Sequence, residues 1–168
     1  QTCALPISNA ERLIERARAA HERHAAVALF PELSLTGYAI DDLHHQAALL
    51  TGAEAGAEAL IEASRKLLPV IVAGAPVRVG EQVFNCALVI HRGALLGVVP
   101  KSYLPNYREF YEKRWFADAT GALADETRFA GQDAPFGADL IFEAEDVAGL
   151  SLHVEICEDL WSPLPPSV

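Results

Sequence analysis

Apolar positions recur at helical spacing over residues 9–24, where Leu13, Ile14, Ala17 and Ala20 share a face and Asn9 is placed to cap the start. They then run together as AAVALF at 25–30, a short block of the kind found in a strand covered on both faces, stopped by Pro31 with Glu32 just beyond it. An Ala-rich segment from about 53 to 67 predicts a second helix closed by Pro69, and 70–75 another buried strand. Residues 76–79, 83–91 and 94–99 alternate with the turns Gly80-Glu81 and Arg92-Gly93, which predicts a meander of strands. Residues 100–135 lose the periodicity and become rich in aromatics and charge, so they read as one long loop with a short helix; Asp118, Asp125, Glu126 and Asp133 read as its solvated acids. Strand character returns at 139–143 and 149–156, the second run ending abruptly at Cys157. The order helix, strand, helix, strand, then meander predicts an α/β fold with a mixed sheet.

Composition bounds the function. A formal charge of −10 over 168 residues speaks against nucleic acid and anionic membrane as partners, since both require a basic surface. No apolar run is long enough to span a membrane and no secretion signal opens the chain. Three cysteines, Cys3, Cys86 and Cys157, show neither CxxC nor metal-ligand spacing, which favours a reducing cytoplasm over a disulfide scaffold or zinc site. His44-His45 lack the spacing of a metal pair, and neither a phosphate loop nor a GxSxG elbow occurs. The chain contains no Met and stops soon after Trp161, so it reads as a fragment, with residues 1–8 as a non-native or disordered start and 9–168 as a partial domain. On that reading, the chain by itself is expected to expose apolar sheet surface and to aggregate or fail to fold.

Candidate chemistry gathers at strand ends. Cys157, Glu32 and Lys101 each follow an apolar run directly. Singly, they read more readily as an inert core thiol, a loop acid and a surface lysine. Together they are more informative, because the carboxyl ends of neighbouring strands in an α/β sheet line one edge where ligands bind. A thiol attacks only as thiolate, and a base and a cation are what it needs nearby.

The blocks FPELSLTGY at 30–38, PKSYLPNY at 100–107 and VEICEDLW at 154–161 resemble the three signature blocks of the nitrilase, or carbon-nitrogen hydrolase, superfamily. Within it, YAIDDL at 38–43, LPNYREFYEKRWF at 104–116 and CEDLWSPLPP at 157–166 are similar to the amino-terminal glutaminase domain of glutamine-dependent NAD synthetases. The resemblance implies a nitrilase-type α-β-β-α sandwich with mixed sheets, truncated at both ends and lacking the first core strand. It implies a Glu-Lys-Cys triad of Glu32, Lys101 and Cys157. Tyr107 and Glu158 would be substrate contacts, and Glu112, favoured over Glu109, a supporting carboxylate. The substrate implied is glutamine, and no cofactor is expected for its hydrolysis. ATP and Mg are expected only in a synthetase domain that this sequence lacks but that would belong to the same chain, and a homo-oligomer is expected. The alternatives are a free-standing nitrilase-type amidase acting on another small amide, and a catalytically inactive interaction domain.

Overall fold

The computed structural model describes residues 5–122 and 124–168. Helix α1 (Leu5–Glu22) buries Ala10, Leu13 and Ala17, the stripe expected from the sequence. It begins four residues before the predicted cap. Pro6 sits in its first turn, where a missing N–H costs nothing. Asn9 is therefore inside the helix, and its Nδ2 donates to Leu35 O at 3.1 Å, so it fastens α1 to the chain after Glu32. Leu5–Ser8, expected as part of a non-native or disordered start, are helical; residues 1–4 lie outside the described ones.

Strand β1 (Val27–Leu29) is followed by α2 (Ala47–Ser64), then by β2 (Val70–Val79), β3 (Gln82–His91) and β4 (Ala94–Pro100). These strands form one sheet in the order β1-β2-β3-β4, parallel between β1 and β2 and antiparallel thereafter, so the sheet is mixed. β2 runs unbroken through Pro76, which pairs in register with Asn85. The missing N–H is harmless there because β1 pairs β2 only as far as Val72, leaving that flank of Pro76 without a strand partner among the described residues. α2 starts earlier than the Ala-rich run because Leu49 and Leu50 are also buried. β1 is an edge strand among the described residues, and Leu29 is 73% exposed, where a strand covered on both faces was expected.

Side chains of a strand alternate between faces, and this sheet uses both. Ile71, Ala73, Ala75, Phe84, Cys86, Leu88 and Ile90 meet α1 and α2 in the main core. Val72, Ala87, Val89 and Val99 point the other way, against Val154, Ile156, Phe142 and Leu152. The second layer is carried by the hairpin of β7 (Ile141–Glu143) and β8 (Ser151–His153). β8 is shorter than the predicted 149–156. It pairs only through His153, and the Ile156 N–H turns to the Asp159 carboxylate instead of a strand.

The expected long loop carries more regular structure than one short helix. It holds α3 (Glu112–Trp115), a 3₁₀ turn at Ala119–Gly121, and a hairpin of β5 (Glu126–Phe129) and β6 (Gln132–Pro135). Two of the presumed loop acids, Glu126 and Asp133, lie on the outer face of this hairpin while Thr127, Phe129 and Ala134 face inward. Asp118 instead caps the 3₁₀ turn through the Thr120 N–H. The last helix, α4 (Glu158–Trp161), follows Cys157 directly.

Candidate active site

Glu32 sits in a tight turn packed onto the middle of β2. Leu35 N–H donates to Gly74 O at 3.0 Å, and Gly74 N–H donates to Ser34 Oγ at 3.1 Å. The backbones approach so closely that a Cβ on Gly74 would lie 2.1 Å from Leu33 N. Only glycine fits, and that fit fixes where the Glu32 carboxylate stands.

Lys101 follows β4 on the face that carries Val99, and Asn85 lies on the face of β3 that carries Ala87 and Val89. Period-two alternation thus aims both at the second layer. The two are cross-strand neighbours, with Lys101 N–H donating to Asn85 O at 2.8 Å. Lys101 Nζ donates to Glu32 Oε1 at 2.7 Å and to Glu112 Oε1 at 2.8 Å. Asn85 Nδ2 donates to the same Glu32 oxygen at 2.6 Å, and the Tyr38 hydroxyl donates to Glu112 Oε1 at 2.7 Å. Lys101 and Glu112 are fully buried. An ammonium in such a place requires partners on every side.

The electrostatics follow from that packing. Burial alone would lower the Lys101 pKa, but the Glu32 charge and the bonds to Glu112 outweigh it and raise it, so the ammonium is held. Burial pushes the Glu112 carboxyl up against the opposing pull of Lys101. Tyr38 is raised by burial and by its hydrogen bond to Glu112.

Cys157 occupies a sharp turn ahead of α4 with φ 51° and ψ −101°. A non-glycine residue there stores about 1–3 kcal/mol of strain and persists only where its surroundings hold it. The thiol is open to solvent on one side, yet partial burial raises its pKa; Lys101 opposes that rise, and Glu32 and Glu112 reinforce it. Glu32 and Cys157 line one cavity of about 170 Å³, together with Asn85, Gly74 and Ile156. Tyr107 and Glu158 meet at the surface, with the Tyr107 hydroxyl donating to the Glu158 carboxylate at 3.0 Å. Glu109 is exposed, so the carboxylate brought to Lys101 is that of Glu112. The sequence reading missed Asn85 as a contact of Glu32, and Asp159, whose buried carboxylate takes backbone N–H groups on both sides of the site. His44 packs against Trp115 and Phe116, with Nε2 3.3 Å from Tyr38 O. A partly buried thiol, a carboxylate on the same cavity and an ammonium held between carboxylates are the groups that acyl transfer to sulfur needs.

Residues 6–166 match the carbon-nitrogen hydrolase family model. The chain belongs to the carbon-nitrogen hydrolase family. This family member is 52% identical over 162 residues to the glutamine-dependent NAD(+) synthetase of Mycobacterium tuberculosis, covering 96% of the chain and 24% of that protein. It is 49% identical to the synthetase of the same name from Mycobacterium leprae, again over 96% of the chain and 24% of the relative. The chain therefore spans about a quarter of the length of these relatives. Among solved structures, glutamine-dependent NAD+ synthetase from Acinetobacter baumannii superposes with a TM-score of 0.74 at 33% identity, covering 92% of this chain and 25% of that one. An amidase from Nesterenkonia superposes with a TM-score of 0.65 at 18% identity over 92% of this carbon-nitrogen hydrolase and 53% of the amidase, a likeness of fold.

Proposed function

We propose that this chain is the glutamine-hydrolysing part of a glutamine-dependent NAD synthetase, with Glu32, Lys101 and Cys157 as its catalytic residues. The observation that carries the proposal is Lys101, fully buried, bonded to Glu32 and aligned by Glu112 beside the cavity that Glu32 shares with Cys157. The names of the relatives at about half identity point the same way. A free-standing amidase has less support, since the amidase likeness is at 18% identity.

Because the Cys157 thiol is raised, it is protonated at neutral pH and needs a base. Glu32 takes the thiol proton as sulfur attacks the side-chain amide carbon of glutamine. The ammonium of Lys101 and the backbone N–H of Glu158 stabilise the developing oxyanion; losing one such donor typically costs about 2.7–4 kcal/mol. Glu32 then passes its proton to the departing nitrogen, the C–N bond breaks, and ammonia leaves a glutamyl thioester. Water, deprotonated by Glu32, attacks the thioester, releasing glutamate and returning the thiol. Glu112 keeps Lys101 charged and oriented, and Tyr107 and Glu158 hold glutamine at the mouth of the site, Glu158 facing its α-amino group. The hydrolysis needs no cofactor. ATP and Mg would act in a synthetase domain of the same polypeptide, where ATP would adenylate the carboxylate of nicotinic acid adenine dinucleotide and the ammonia would displace AMP to form the amide. A homo-oligomer in the cytoplasm is the working form; no helix among the described residues is long and apolar enough to cross a membrane.

The test is ammonia release from glutamine by the complete protein, wild type against Cys157→Ala. Removing the nucleophile should lower turnover on the order of 10⁴-fold or more. Equal release from both proteins would overturn the assignment.

A further inference from the structure

We propose that Asp159 is a positioning residue that ties the Cys157 turn to the strand end bearing Lys101, and so sets the approach of thiol to ammonium; this rests on the glutaminase reading above. The Asp159 side chain is nearly sealed from water, at 2% exposure. Its Oδ1 accepts the N–H groups of Ser102 at 3.0 Å and Tyr103 at 2.8 Å, and its Oδ2 accepts the Ile156 N–H at 3.1 Å. Ser102 follows Lys101 directly and Ile156 precedes Cys157 directly. One carboxylate therefore spans the backbones on which the proposed cation and nucleophile ride.

The turn is closed from both sides, because the Asp159 N–H donates back to Ile156 O at 3.1 Å. Cys157 lies inside that closed turn with its positive φ, so the clamp encloses the strained residue. Charge suits the task. Three N–H donors converge on two oxygens, and only an ionised carboxylate offers acceptors alone in both directions. Burial raises the Asp159 carboxyl, and the N–H bonds from Tyr103, Ile156 and Ser102 oppose the rise. An asparagine of the same size must turn its NH₂ either toward Ile156 N–H or toward the Ser102 and Tyr103 N–H groups. Either way a donor faces a donor, and one half of the clamp opens.

The two effects of Asp159→Asn on the thiol have opposite signs. Deleting a nearby negative charge would make Cys157 ionise more easily, whereas moving it away from Lys101 would make ionisation harder. The experiment measures iodoacetamide alkylation of Cys157 against pH in the complete protein, with Cys157→Ala subtracting other thiols, and kcat and KM for glutamine in parallel. Opening the clamp should move the alkylation midpoint to higher pH. It should also lower kcat about a hundredfold, with KM changed less than about threefold, as misplacement by about an ångström does. An alkylation midpoint that stays or falls, or kcat within about threefold of wild type, overturns the proposal. A lower melting temperature with both readouts unchanged also overturns it, since that is a purely structural residue. If Asp159→Asn does not fold, Asp159→Glu serves with the same readouts, because it keeps charge and both oxygens while its extra methylene shifts the turn. The alkylation profile does not depend on substrate, so failure of the clamp is separable from failure of the glutaminase reading, which Cys157→Ala alone decides.

Discussion

Burial by itself would lower the Lys101 pKa, yet Glu32 and Glu112 raise it, and that has a consequence in alkali. Both Lys101 and Tyr38 have pKa values raised above their ordinary 10.5 and 10.0. Each binds its proton more tightly folded than unfolded, so each contribution is intact below those ordinary values and is lost as pH climbs through the raised ones. The urea midpoint of the complete protein should therefore decline above about pH 10. Tyr38→Phe should decline less steeply, having lost one of the two groups; a slope equal to wild type would refute the Tyr38 part. Glu32, Lys101 and Cys157 were legible as candidates because each stands directly after an apolar run. Asn85 and Asp159 were not. Asn85 sits inside an apolar strand and earns its place by touching a residue 53 positions away, and Asp159 reaches one 57 positions away. No local pattern encodes such contacts.

At the scale of elements, β2 shows how a strand and a turn determine each other. Gly74 leaves the space into which the Glu32 turn descends, and Ser34 and Leu35 bond its backbone. Gly74→Ala should push that turn away from the sheet. The expected result is a destabilisation of about 1–3 kcal/mol from overpacking and a loss of the proposed glutamine hydrolysis of about a hundredfold from misplacing Glu32. Urea unfolding and ammonia release check the two parts separately, and retained activity would show that the turn re-seats itself. The meander of β2, β3 and β4 was readable because Gly80 and Arg92-Gly93 carry the left-handed turn conformations such connections need. The β5–β6 hairpin escaped because its turn uses Ala130 at φ 50° before Gly131, with no Asn or Asp signal, and its strands are four residues long.

Across the whole molecule, one sheet separates two environments: helices α1 and α2 on one face, and the β7–β8 hairpin with the Cys157 turn on the other. The cover on the second side is thin. Leu29, Ile141, Trp161 and Leu164 are each more than half exposed. Large exposed apolar side chains in such number drive association. The 168-residue chain expressed by itself should sediment as aggregates or oligomers in analytical ultracentrifugation, and a monodisperse monomer with a cooperative melt would contradict this.

By itself the sequence determined the helical stripes of α1 and α2, the strands of the meander, the negative net charge and three candidate residues that each follow an apolar run, because those depend on periodicity and composition along the chain. Tertiary structure alone decided that Asn85 meets Glu32, that Gly74 admits the Glu32 turn, and that Asp159 joins the thiol turn to the lysine strand. Those outcomes rest on strand register and on contacts between residues far apart in sequence, and a buried ion or an unpaired N–H is costly only once the fold has excluded water from it.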